Sequence, residues 1–299
     1  MGTWGPGLYA NDTACDLKPA ITAVARLPYD ADALVALFVD RDRGVAETPD
    51  DPDYPTFWLV LADQLHRKGI DAPEVFQRAC EIIDSGADAH AMVAQGLGPR
   101  DSKARAEGLG KLRARLAQPV AANARKTLKK PQKLLMHAGD VMVAPVRDGG
   151  TRDPTQLRVD RYCVRNPYRK SEDFAPVGWI AFVVLAHAHV FGYLAVYCVM
   201  GLRGLEPLAD KPDPGSLMAQ GPWGIKAPAT CSRSHFRRMG LESVGSLSLD
   251  PTRIEAQAAP MLAQMEHFAI ADVSLSNRLM LDPFLDRPKG RITALSDLI

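Results

Sequence analysis

Apolar positions between residues 12 and 90 recur at three- and four-residue spacing, which predicts a series of short amphipathic helices. Asn11-Asp12 offers an N-cap to a run in which Ala14, Leu17, Ile21 and Val24 share one face, with Pro19 expected in its first turns. Asp30 opens a second run, Ala33, Leu34, Leu37 and Phe38, which Gly44 stops. Beyond the proline-rich loop ETPDDPDYP, FWLVLADQLHRKG sets Phe57, Leu61 and Leu65 on one stripe and ends in the C-terminal signal Arg67-Lys68-Gly69. Pro73 then begins PEVFQRACEIIDSG. Helices of this length bury their apolar faces by packing on one another as a small bundle.

From Asp101 to Ala124 a fifth helical stretch is interrupted by Gly108, Gly110 and Pro119 and runs out into RKTLKKPQK, the candidate linker. The texture changes beyond it. KLLMHAGDVMVAPVRDGG alternates apolar and polar residues and closes on Asp148-Gly149, a hairpin signal. RVDRYCV and LESVGSLSLD also read as strands, ADKPDPGS as an irregular connection, and IEAQAAPMLAQMEHF as a helix. Phe174 to Leu202 carries no charge, a length that raises the question of a membrane helix. Pro176, Gly178, Gly192, the mid-segment His187 and His189, and the abundance of Val, Ile, Phe and Tyr favour two core strands, WIAFVVLAHA and YLAVYCVM, turning near Phe191-Gly192. One long buried or membrane helix is the other reading. The pattern thus predicts an α+β protein: a helical domain over 1–128 with a basic C-terminal linker, then a β-rich domain over 129–299, as a curled sheet or small barrel.

Composition agrees with two domains, because single cores stop growing near roughly 250–300 residues and this chain has 299. Its five cysteines, Cys15, Cys80, Cys163, Cys198 and Cys231, are odd in number, scattered and free of any C-x-x-C pair, which points to a reducing, cytoplasmic setting. No charged-then-apolar leader opens the sequence, and Pro6 stands where a myristoylation site wants Ser or Thr. The net charge of +1 conceals a strong asymmetry: residues 1–100 carry 8 basic and 16 acidic groups, residues 101–130 carry 9 and 2. A basic cassette therefore follows an acidic region.

Two resemblances add to this reading. The opening MGTWGPGLYANDTACD, through Trp4, Gly5, Gly7, Asn11, Asp12 and Asp16, resembles the start of a family of uncharacterised bacterial proteins with a WGxGxxxND motif, compatible with the helical pattern to about residue 90. That family implies no activity. HAGDVMVAPVRDGG, His137 to Gly150, is similar to the first hairpin of a bacterial immunity-protein family found beside polymorphic toxins, in which Gly-Asp opens a strand ending in Pro and a polar turn. The longer TRDPTQLRVDRYCVRNPYRKSED that follows departs from that family's short second strand. This second resemblance implies toxin neutralisation.

Candidate chemistry is sparse. His187 and His189 lie two apart, on one face of a strand, an arrangement that metal sites use, but no acid follows nearby as a third ligand. Asp12 and Asp16, four apart, share a helical face as paired acids would, although Asp12 also fits an N-cap. Cys231 lies four residues before His235 without a nucleophile motif, and no phosphate loop or G-x-S-x-G elbow occurs. In the cassette, Arg105, Lys111, Arg113, Arg115, Arg125, Lys126, Lys129 and Lys130 could track phosphates, yet no aromatic residue stands between Phe76 and Tyr162 to stack bases. Docking of the cassette on the acidic bundle is the simpler reading. Trp4 has the size to plug a core while Gly5 and Gly7 turn the chain, which makes the opening an N-terminal lock.

These residues predict a non-enzymatic protein-binding module without a cofactor, of immunity type if the second resemblance holds, with a toxin as the partner that resemblance implies. Trp4, Asp12, Asp16, Arg113 and Arg115 are the candidate binding residues. A nucleic-acid-associated protein using residues 101–130 and a metal-dependent hydrolase around His187 and His189 are the alternatives. No membrane partner is expected.

Overall fold

The computed structural model describes residues 3–121, 125–147, 176–202, 207–271, 274–279 and 292–299. The turn expected at Asp148-Gly149, the strand expected over RVDRYCV and Cys163 all lie outside them. The chain divides into two units, Met1–Lys129 and Lys130–Ile299.

Among the described residues seven helices build the first unit: α1 (Asp12–Val24), α2 (Ala31–Arg41), α3 (Arg43–Ala46), α4 (Tyr54–Arg67), α5 (Pro73–Ser85), α6 (Ala87–Ala94) and α7 (Pro99–Leu116). Asn11, not Asp12, caps α1: its Oδ1 accepts from the Ala14 N–H at 2.8 Å. Asp30 caps α2 in the same way through Ala33. Pro19 lies inside α1, well past its first turn, where it withholds the N–H that the Cys15 carbonyl would receive. It faces solvent, so water can serve that carbonyl. The second run breaks at Asp42, and Gly44 falls within α3 rather than ending a helix.

Helix α4 is the centre of the bundle and packs against α1, α3, α5, α6 and α7. The single stripe expected of it is too narrow, since every residue from Pro55 to His66 is buried. A helix apolar on all sides is a core helix, and it carries Asp63, Gln64 and His66 inside with it. Helix α7 passes through Gly108 and Gly110 unbroken, held by buried Leu109, Leu112 and Leu116, and stops before Pro119.

In the second unit, strands β1 (Asp140–Arg147), β2 (Pro176–Val190), β3 (Leu194–Leu202), β4 (Trp223–Ile225), β5 (Ala229–Thr230), β6 (Glu242–Ser246) and β7 (Ile292–Thr293) form one antiparallel sheet. Its order is β6-β1-β2-β3-β4-β7, with β5 beside β3. Among the described residues the sheet is open, which fits the expected sheet rather than the small barrel. The uncharged run is a hairpin: Phe191 and Gly192 hold φ of 52° and 71°, and the Tyr193 N–H donates to the Val190 carbonyl at 3.0 Å. Two consecutive left-handed residues match the right-handed strand twist. No helix among the described residues is long and apolar enough to cross a membrane.

The polar alternation expected of β1 is absent, because Val141 to Val146 are buried throughout. Both faces of the sheet are covered. Met142, Ala144, Phe182 and Tyr197 pack with Met239 of α9 (Arg233–Met239) and Leu275 of α12 (Leu275–Arg278). Val141, Val143, Val183 and Cys198 pack with Leu217 of α8 (Pro214–Met218) and with Ile254 and Ala258 of α10 (Pro251–Leu262). The predicted C-terminal helix is thus α10, with Pro260 inside it, followed by α11 (Met265–Ala271).

Candidate functional site

The glycine-rich opening is an ordered loop. The Trp4 N–H donates to the Ala10 carbonyl at 3.1 Å, the Ala10 N–H to Gly7 at 3.0 Å, and Thr3 bridges Asn11. Asn11 Nδ2 pins the loop's end to Thr56 Oγ1 on α4 at 3.2 Å, and Arg105 Nη1 on α7 pins its middle by donating to the Gly7 carbonyl at 3.0 Å. This order does not bury the tryptophan. Trp4 is 61% exposed, so the expected core plug is corrected: the backbone bonds lock the loop, and the indole stands outside it.

Beneath the loop a cavity of about 420 Å³ opens between Pro6–Tyr9, α4 and α7. Leu8, Leu109 and Leu112 supply apolar wall, while Asp63, Arg67, Lys111 and Arg115 supply charge. Asp63 is almost fully buried and gathers the others. Tyr9 Oη and Arg115 Nη2 donate to its carboxylate, and Arg67 Nε donates at 2.8 and 3.0 Å. Gln64 Nε2 donates to Tyr9 Oη, which leaves the phenol both donor and acceptor. Burial raises the Tyr9 pKa from its ordinary value, against the pull of Gln64, Arg67 and Arg115, so the hydroxyl keeps its proton. One donor is left over: Arg115 Nε is buried without a hydrogen-bond acceptor.

Arg115 is the expected binding residue that joins this cavity. Arg113 points elsewhere, paired with Asp84 at 2.6 and 2.8 Å on the exposed α5–α7 surface. Asp12 and Asp16 are both exposed on α1 and form no ion pair among the described residues. Arg105 pairs with Asp88, and Arg125 donates to the carbonyls of Ala25 and Leu27. Three arginines of the basic cassette, Arg105, Arg113 and Arg125, are therefore engaged by partners within the helical unit.

His187 and His189 do share a strand face, but each has a ring nitrogen tied to backbone. His187 Nδ1 accepts from the Ala138 N–H at 3.1 Å, and His189 Nε2 donates to the Gln132 carbonyl at 2.6 Å. Among the described residues no group of three or more His, Cys, Asp or Glu is placed to hold a metal ion. Burial pushes the Cys231 thiol up to about 12, and His235 Nε2 bonds Ser276 Oγ at 2.8 Å instead of meeting it. That thiol stays protonated and inert.

Comparison with known proteins finds no matching family model, curated protein or solved structure. Of the cavity residues, Tyr9, Asp63 and Arg67 escaped the sequence reading as site residues, while Lys111 entered it within the basic cassette. One signal was present: an aspartate within the apolar FWLVLADQL must be partnered if the helix is buried, and Arg67 lies one turn on.

Proposed function

We propose that the protein is a non-enzymatic binding module that holds a protein partner against the N-terminal loop of its helical unit, with Trp4 as anchor. One observation carries this reading: a tryptophan kept 61% exposed on a loop whose backbone is fixed by internal hydrogen bonds. Fixed exposure of a large apolar ring suits an interface, where aromatic anchors supply much of the binding energy. Thr3 Oγ1 approaches Met92 Sδ at 3.5 Å, which ties the start of the loop to α6.

The finer reading, an immunity-type inhibitor of a toxin, rests on the likeness of residues 137–150. Those of them that are described fall largely on β1, a central strand buried on both faces, so the proposed contact is placed on the loop. The test compares wild type with Trp4→Ala in capturing the product of the neighbouring gene. Capture by wild type, at least tenfold weakened in Trp4→Ala at unchanged melting temperature, is expected for an anchor. Equal capture by both overturns the reading.

A further inference from the structure

We propose that the cavity under the N-terminal loop is a binding site for a small dianion carrying an apolar group, with Lys111, Arg67 and Arg115 as its cationic side. Charge is the first argument. Arg67, Lys111 and Arg115 line the cavity with one carboxylate, Asp63, while Arg105 in the same wall is neutralised by Asp88, so two positive charges stand in excess around a space of about 420 Å³. The match is to an occupant with two negative charges.

Geometry is the second. Asp63 does not close the site, because it engages Arg67 through Nε and Arg115 through Nη2 and leaves other guanidinium donors uncommitted. Arg115 Nε is buried and lacks an acceptor, a cost that a bound oxyanion would remove. Lys111 is exposed at the rim and has no ion-pair partner among the described residues. Tyr9 and Gln64 hold the carboxylate side rigid, so the donors are preorganised.

Shape is the third. Leu8, Ala104, Gly108, Leu109 and Leu112 line the same space. An occupant needs an apolar body beside its charged head. A phosphate monoester and a dicarboxylate share this chemistry. The site is separate from the Trp4 reading and stands or falls without it.

Calorimetric titration at low salt with phenyl phosphate and with phenylsuccinate tests the inference, with benzyl alcohol as the uncharged control. Saturable binding of at least one dianion is expected, and the tighter of the two identifies the head group. Lys111→Ala, a change at an exposed position, and Arg115→Lys, which retains charge but loses the fork, should each weaken it by about tenfold or more. Absence of saturable binding by both dianions overturns the proposal, as does equal binding by wild type and both variants, or benzyl alcohol binding as tightly as the dianions.

Discussion

Arg105 of α7 grips Asp88 of α6 through two prongs, Nε to Oδ2 at 2.6 Å and Nη2 to Oδ1 at 2.7 Å, with side-chain exposures of 3% and 1%. A third donor of the same guanidinium holds the Gly7 carbonyl. One side chain therefore ties the last helix of the bundle to α6 and to the N-terminal loop.

Removing one member of this pair should be far worse than removing both. Arg105→Met leaves Asp88 as an uncompensated buried charge, and a loss of about 3–5 kcal/mol is expected. Pairing it with Asp88→Leu should recover much of that loss, because no buried charge remains. Urea unfolding followed by circular dichroism measures both. A double variant no more stable than the single one would show that the pair's value lies in its tether to Gly7.

Asn11 and Asp12 should separate sharply although they are neighbours. Asn11 is buried, caps α1 and bonds Thr56, so Asn11→Ala is expected to cost about 1–2 kcal/mol. Asp12→Ala and Asp16→Ala, at exposed positions, should stay within about 0.5 kcal/mol. Denaturation midpoints of the three variants check this, and comparable losses for all three would contradict the assignment of the cap to Asn11.

Helix starts such as Asn11 and Asp30 were legible because capping and periodicity are local properties of the chain. The strands over 176–202 were legible for a like reason, since β-branched and aromatic density with Gly192 at the turn leaves little choice. Burial on every side of α4 was not, because it depends on what the other helices bring. Asp63 and Tyr9 are 54 residues apart and meet only through tertiary packing. Trp4 misled for the opposite reason: size predicts burial on average, and this indole stands outside its own loop.

Gly139 explains physically why Gly-Asp opens β1. Its φ is 90°, and a Cβ there would lie 2.5 Å from the Leu247 carbonyl oxygen. Gly139→Ala should therefore destabilise by about 2 kcal/mol or more, combining left-handed strain with a backbone clash. Gly192→Ala, also left-handed but with nothing within 4 Å, should cost only the strain, about 1 kcal/mol. Urea midpoints of the two variants give the comparison, and equal losses would count against the clash.

His187 gives stability a pH dependence whose sign follows from its surroundings. Desolvation holds its pKa below the ordinary value, His137 and His189 add to the effect, and Asp140 opposes it. Its Nδ1 accepts from Ala138 only while unprotonated. As pH falls below the unfolded value of about 6.5, the unfolded chain takes up this proton before the folded one, so stability falls. The loss grows until the depressed folded value is passed and then levels off, whereas above about 6.5 the residue is neutral in both states. His187→Asn keeps an acceptor for the Ala138 N–H and removes the titration. Its denaturation midpoint should consequently fall less than that of wild type between neutral and mildly acidic pH. Parallel declines in the two proteins would overturn the assignment of this dependence to His187.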